Sequence, residues 1–173
     1  MYVKRGGNNL EYIAHIRESD KEIQELRHHL LEAKNLAEEA GAKIALQHVA
    51  GLCALLHDIG KYSPKFQQYI YEAVFHPDDA TYARGEVDHS TAGGKLIFEL
   101  LHNEANDAHD VLLSEIVSNT IISHHSNLKD YLSIDRSSPF LSRVLKKDIP
   151  DYELVKSRFF EDTISLTLVY LST

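Results

Sequence analysis

LLHDIGKYSPKFQQYI, Leu55 to Ile70, closes an apolar run with adjacent His57 and Asp58 and follows them at once with Gly60 and Lys61. Burying an imidazole and a carboxylate without partners costs several kcal/mol, so something bound there is expected to offset the cost. Consecutive residues on a regular helix diverge by about 100°, so the two side chains converge only if the chain turns at the helix end. A carboxylate can bridge two cations, one oxygen to each, which makes an adjacent His–Asp pair useful in a two-metal site. The stretch therefore predicts a central helix from about Ala42 to His57 and a turn at Gly60 that brings Lys61 towards a ligand. A further helix, opened by Ser63 and Pro64, carries Phe66, Ile70 and Ala73.

Outward from this stretch, nearly every segment reads as helix. Ser19 followed by Glu22 resembles a capping box, opening an apolar face of Ile23, Leu26, Leu30, Ala33, Leu36, Ala37 and Ala40, with Gly41 as its stop. Residues 76–88 hold Pro77, Asp78, Asp79 and Gly85 and read as a loop. More helices are expected from Ser90 to about Ala105, from Asp107 to about Ser123, from about Pro139 to Lys147, and from Asp151 onwards. The alternation of strands is not found, nor is any repeat, low-complexity tract or internal linker. The expected fold is all-α and single-domain.

With 173 residues the chain suffices for one well-cored domain and not comfortably for two. Its 43% hydrophobic and 25% charged residues suit a soluble globular protein. The single Cys53 excludes an internal disulfide, fits a reducing cytoplasm, and reads as a small core residue. No apolar run follows the basic residues of MYVKRGGNNLEY, so no signal peptide is expected, and no stretch reaches the length of a membrane span. A net charge of −8 argues against a nucleic-acid binder that works by bulk positive field. Two bound divalent ions would halve that charge and concentrate positive potential at one place.

Eleven histidines are many for this length. His29 stands on the shoulder of the first apolar stripe and can face inward. The triplet DHS, Asp88 to Ser90, sits where a loop meets a helix, and SHHS, Ser123 to Ser126, where a helix meets a loop. Capping or surface roles fit any of these alone and fit the set poorly. Imidazole and carboxylate together suit manganese, iron, cobalt, nickel or zinc better than calcium. His28, His48, His76, His102 and His109 read as surface or ordinary polar packing, and His15 is left open with a structural role preferred.

These residues resemble the HD superfamily of metal-dependent phosphohydrolases, and more closely the HD nuclease domain of the CRISPR type I effector nuclease-helicase. HHLLEA around His29, LLHDIGKYSPKFQ from Leu55 to Gln67, HS at His89 and Ser90, and SHHSNL from Ser123 to Leu128 carry the match. The resemblance implies an HD-domain helical bundle with a metal site between central helices. It implies one divalent ion on His29, His57 and Asp58, and a second, bridged by Asp58, on His89, His124 and His125. Manganese, nickel, cobalt, iron or magnesium would serve. Lys61 would contact a substrate phosphate, and Ser90 would assist nearby. The family pattern also has a late Asp after an apolar run like LTLVYLS, whereas this chain stops at Thr173 and Asp162 precedes the run. The expectation is therefore one HD nuclease domain over residues 1–173, cut from a longer polypeptide and truncated within its last helix.

The activity so implied is metal-dependent hydrolysis of single-stranded DNA by an (endo)deoxyribonuclease in CRISPR antiviral defence, with a helicase domain or subunit and the surveillance complex as partners and the cytoplasm as location. Lys61, Lys65, Arg84, Lys129 and Arg136 offer scattered backbone contacts or an ordinary solvated surface. Two other readings stand beside it: a phosphohydrolase of nucleotides or small phosphoesters, and a catalytically dormant metal-bearing docking module.

Overall fold

The computed structural model describes residues 12–102, 107–146, 148–149 and 151–171, with side chains as far as residue 163. Seven α-helices and a short antiparallel hairpin make up its regular elements, so the all-α class holds. The hairpin pairs β1 (Ile13–Ile16) with β2 (Ile23–Glu25). The helices are α1 (Leu26–Ala42), α2 (Gln47–Leu56), α3 (Pro64–Phe75), α4 (Thr91–His102), α5 (Ala108–Ile122), α6 (Pro139–Val144) and α7 (Tyr152–Leu171). The 3₁₀ turn Ile59–Tyr62 joins α2 to α3, and a second, Pro77–Asp79, follows α3.

The hairpin corrects the helix expected from Ser19. Lys21 adopts a left-handed backbone, φ 61°. Asp20 Oδ1 accepts from the Glu22 amide and the Arg17 guanidinium, and Arg17 also pairs with Glu22. The residues that mimic a capping box thus close a polar turn, and α1 begins at Leu26. Nor does α2 reach back to Ala42. Ala45 takes φ 58°, and α1 continues one residue past Gly41, which lies buried where the two helices meet.

Elsewhere the caps act as their residue types dictate. Ser63 accepts from the Phe66 amide with Pro64 at the first helical position, and Asp107 accepts from the His109 and Asp110 amides. The main core joins Leu26 and Leu30 of α1, Leu56, Ile59, Leu96, Val117, Ile121 and Val155, and each such fully buried side chain stabilises by about 1.5–3 kcal/mol. A smaller cluster packs Phe98 and Ile122 on Phe140 and Val144. Cys53 is half-buried at the edge of the main core, and burial pushes its thiol pKa up.

Two glycines bring the ends of these helices together. A Cβ on Gly60 would lie 2.1 Å from the His89 carbonyl oxygen, and one on Gly93 would lie 1.9 Å from that of Leu56. Gly60 thus serves close approach of the 3₁₀ turn to His89, not a left-handed turn. Gly93→Ala is expected to destabilise by about 3 kcal/mol or more, since backbone must move. In thermal denaturation that is a fall of roughly 6–12 °C for a chain this size.

Candidate metal centre

His57 and His124 occupy similar positions, His57 immediately beyond the last residue of α2 and His124 one residue further out, past Ser123 at the end of α5. The closing carbonyls of a helix have no intrahelical donor, and each histidine supplies one. His57 Nδ1 lies 2.6 Å from the Ala54 oxygen, and His124 Nδ1 lies 2.6 Å from that of Ile121. Because a carbonyl only accepts, both rings carry their proton on Nδ1 and turn an Nε2 lone pair inward. His89 does the same more loosely, Nδ1 to the Val87 oxygen at 3.3 Å, ahead of α4.

These lone pairs converge on Asp58, whose side chain is only 4% exposed. At Asp58 the backbone leaves the helix, φ −114° and ψ 15°, and the carboxylate swings beneath its neighbour. Oδ2 lies 3.1 Å from His57 Nε2, 3.1 Å from His29 Nε2 and 2.9 Å from Lys61 Nζ. Oδ1 lies 3.4 Å from His124 Nε2 and 3.7 Å from His89 Nε2. His125 Nε2 is 2.9 Å from His89 Nε2 on the open side. Asp58 and the three later histidines that the resemblance grouped with it, His89, His124 and His125, therefore present ligand atoms within 4.8 Å of one another.

The electrostatics demand positive charge at the centre. Burial works to raise the Asp58 pKa, but the imidazoles of His124, His29 and His57 and the Lys61 ammonium outweigh it and hold the carboxyl far below its ordinary range. Burial likewise works to lower His57, and Asp58 overturns it to leave that pKa raised. His89 is lowered to about 4, chiefly by burial, and His125 is lowered by burial and by His124. Asp58 Oδ1 and His124 Nε2 face one another across 3.4 Å, and both are buried without a hydrogen-bond partner. With His124 Nδ1 committed to Ile121, that approach joins two acceptors unless the ring takes a second proton. A cation between them would satisfy both, so the residues fit a metal site, and neutral Nε2 donors with one carboxylate suit borderline transition ions.

Lys61 is bonded within the cluster and Ser90 beside it. Lys61 is buried, its ammonium bonded to Asp58 Oδ2 and, at 3.1 Å, to the Ala14 carbonyl. Ser90 Oγ accepts from Arg143 Nη2 at 2.8 Å and points to Asp88, not to Asp58. Asp88 anchors the start of α4 by accepting from the Thr91 amide and hydroxyl, and it pairs with Arg143 and Lys146. Sequence reasoning missed Arg143 and Lys146, because their partner lies more than fifty residues away.

Asp162 does not join the cluster: its carboxylate accepts from the Tyr62 hydroxyl at 2.6 Å and lies 4.0 Å from Arg27. The late Asp expected past Thr173 and the side chains of the apolar run from residue 164 lie outside the described residues. His15, left open above, does come to the site: its ring meets His29 edge-on at a 4.9 Å centroid separation. Burial, then Lys61, lower its pKa to about 4. His28, His48 and His109 are solvent-exposed, His76 lies against Tyr71, and His102 stacks on Phe98 beside Glu115.

Two open clefts of about 840 and 900 Å³ meet along Tyr69, Arg84, His89 and His125. One continues past Arg143 and Lys146, the other past Lys61 and Phe66. No helix among the described residues is long and apolar enough to cross a membrane.

A site that holds cations stabilises the fold by about 2.7 kcal/mol at a hundredfold excess over Kd. Adding Mn²⁺ to chelator-stripped protein is therefore expected to raise Tm by roughly 5–10 °C. Asp58→Ala should lose that rise, as differential scanning calorimetry would show.

Set beside models of known protein families, residues 4–163 match the one described as Cas3, HD domain, which covers nearly the whole chain. No curated protein matches it.

Proposed function

The chain belongs to the Cas3 HD-domain family, and on that premise we propose that it hydrolyses phosphodiester bonds of single-stranded DNA, cutting internally, alongside a helicase of a CRISPR effector. The observation that carries the reading is the division of one buried carboxylate: Asp58 Oδ2 faces His29 and His57, while Oδ1 faces His124 and His89. A carboxylate so divided is suited to bridge two divalent ions. His29, His57 and Asp58 would hold one, and Asp58, His89, His124 and His125 the other. Bound there, such ions supply Lewis acidity that lowers the pKa of a water and offsets charge on the phosphate.

The chain's own groups do the remaining work. The Nδ1 bonds to Ala54 and Ile121 fix the rings of His57 and His124 before any ligand arrives, so no reorganisation is needed at the moment of reaction. Lys61 is bonded to Asp58 Oδ2 and so acts on the phosphate through that carboxylate, as a positioning residue. Ser90 steadies Arg143 rather than touching the scissile group. Arg143 and Lys146 outnumber Asp88, and the exposed Arg84 adds a further cation where the clefts join, so a backbone phosphate entering beside His89 and His125 meets net positive charge. Tyr69, half-buried at the same junction, offers a face on which a base can stack. Open clefts suit a polymer better than a mononucleotide, which favours this reading over a small-phosphoester hydrolase.

The test is cleavage of circular single-stranded DNA with Mn²⁺, Ni²⁺ or Mg²⁺. Metal-dependent linearisation that Asp58→Ala abolishes is the expected result. Failure to cut while metal is demonstrably bound, or turnover of mononucleotides alone, would sink the proposal. Arg84→Ala should weaken binding about equally for all sequences and lower the salt slope of log Kd by about one, measured by fluorescence anisotropy.

A further inference from the structure

His15 was reached by none of the spacing arguments, yet three hydrogen bonds from Gln67 and Lys61 hold its strand against the metal centre. Gln67, buried at the start of α3, bonds both backbone groups of Ile13: its Oε1 accepts from the Ile13 amide at 2.8 Å and its Nε2 donates to the Ile13 carbonyl at 3.0 Å. The same Nε2 donates to the Lys61 carbonyl at 2.7 Å, and Lys61 Nζ returns a bond to the Ala14 carbonyl at 3.1 Å. Ile13 pairs with Glu25 and His15 with Gln24, so Ala14 is an extra residue in the ladder. Such bulges re-aim the side chains beside them.

The outcome is a second group of ligand atoms: those of His15, His29 and Asp58 all lie within 4.8 Å of one another. Lys61 Nζ approaches His15 Nε2 at 3.4 Å, long for a hydrogen bond, whereas its bonds to Asp58 Oδ2 and Ala14 are 2.9 and 3.1 Å. Because an ammonium only donates, this Nε2 presents a lone pair, and its weak bond to Lys61 leaves that pair available. Asp162, the late carboxylate within the described residues, is turned to Tyr62 instead.

We propose that His15 is a further protein ligand to the cation that His29 and Asp58 Oδ2 would hold, completing that half of the centre from the hairpin. This rests on the reading that the Asp58 cluster binds cations. The rival role for His15 is that of a mere acceptor for Lys61, which a glutamine carbonyl can also fill.

The experiment titrates chelator-stripped protein with Co²⁺, by calorimetry and by the visible d–d absorption, for the wild type, His15→Gln, His15→Ala and Asp58→Ala. Both His15 variants are expected to weaken one binding event about tenfold or more, the scale that losing a ligand's supporting partner already reaches, and to change the d–d bands. Wild-type affinity and bands in His15→Gln would overturn the proposal and leave His15 as an acceptor for Lys61; this variant decides the matter if His15→Ala is unstable. Absence of Co²⁺ binding in the wild type, or unaltered binding in Asp58→Ala, would instead overturn the cation-binding reading of the cluster, and the proposal with it.

Discussion

The arrangement depends on one carboxylate held out of water. Asp58 lies among four imidazoles and an ammonium, and its two oxygens face different partners. A charge in that position is stabilised only if its surroundings bring compensating charge in fixed geometry. Every element that matters to the site ends or bends near it: α2 and α5 finish there, α4 starts there, and the 3₁₀ turn crosses beneath. The short contacts of Gly60 to the His89 backbone and of Gly93 to Leu56 are what let these ends crowd so closely.

Polarity at the centre is supported by ordinary helix chemistry at its edge. The final carbonyls of α2 and α5 need donors, and an imidazole just past each end supplies one through Nδ1 while exposing Nε2. A single side chain thereby terminates a helix and orients a ligand atom. The 3₁₀ turn is bound as firmly: Arg158 donates to the Tyr62 carbonyl at 2.6 Å, Gln67 to that of Lys61, and Tyr62 to Asp162. Burial and the neighbouring Asp162 both raise the Tyr62 pKa, so its phenol stays protonated and keeps donating.

Most helices were legible because their signals are local. Ser63 before Pro64 and Asp107 before an apolar run act within three residues, and both cap as expected. The hairpin was not legible, since strands of four and three residues are too short to show alternation and the Ser19–Glu22 turn imitates a helix start. His29, His57, His89, His124 and His125 could be grouped from their places at helix ends and faces. His15 could not, because Gln67 and Lys61, some fifty residues later, bring its strand to the site. Burial of Lys61 was hidden for a similar reason: its partner at Ala14 belongs to an element the sequence concealed.

The reach of one amide has a mechanical consequence. Gln67 touches Ile13 twice and Lys61 once, so a single side chain stands in for a missing neighbour strand on one side and braces the turn beside Asp58 on the other. Force or displacement applied to the hairpin would therefore pass to the floor of the centre through three bonds pivoting on one group. A glutamate of nearly identical shape would keep the acceptor and lose both donations. Gln67 would then hold the hairpin by the Ile13 amide alone, and the Lys61–Ala14 bond would be left to tie the hairpin to the turn.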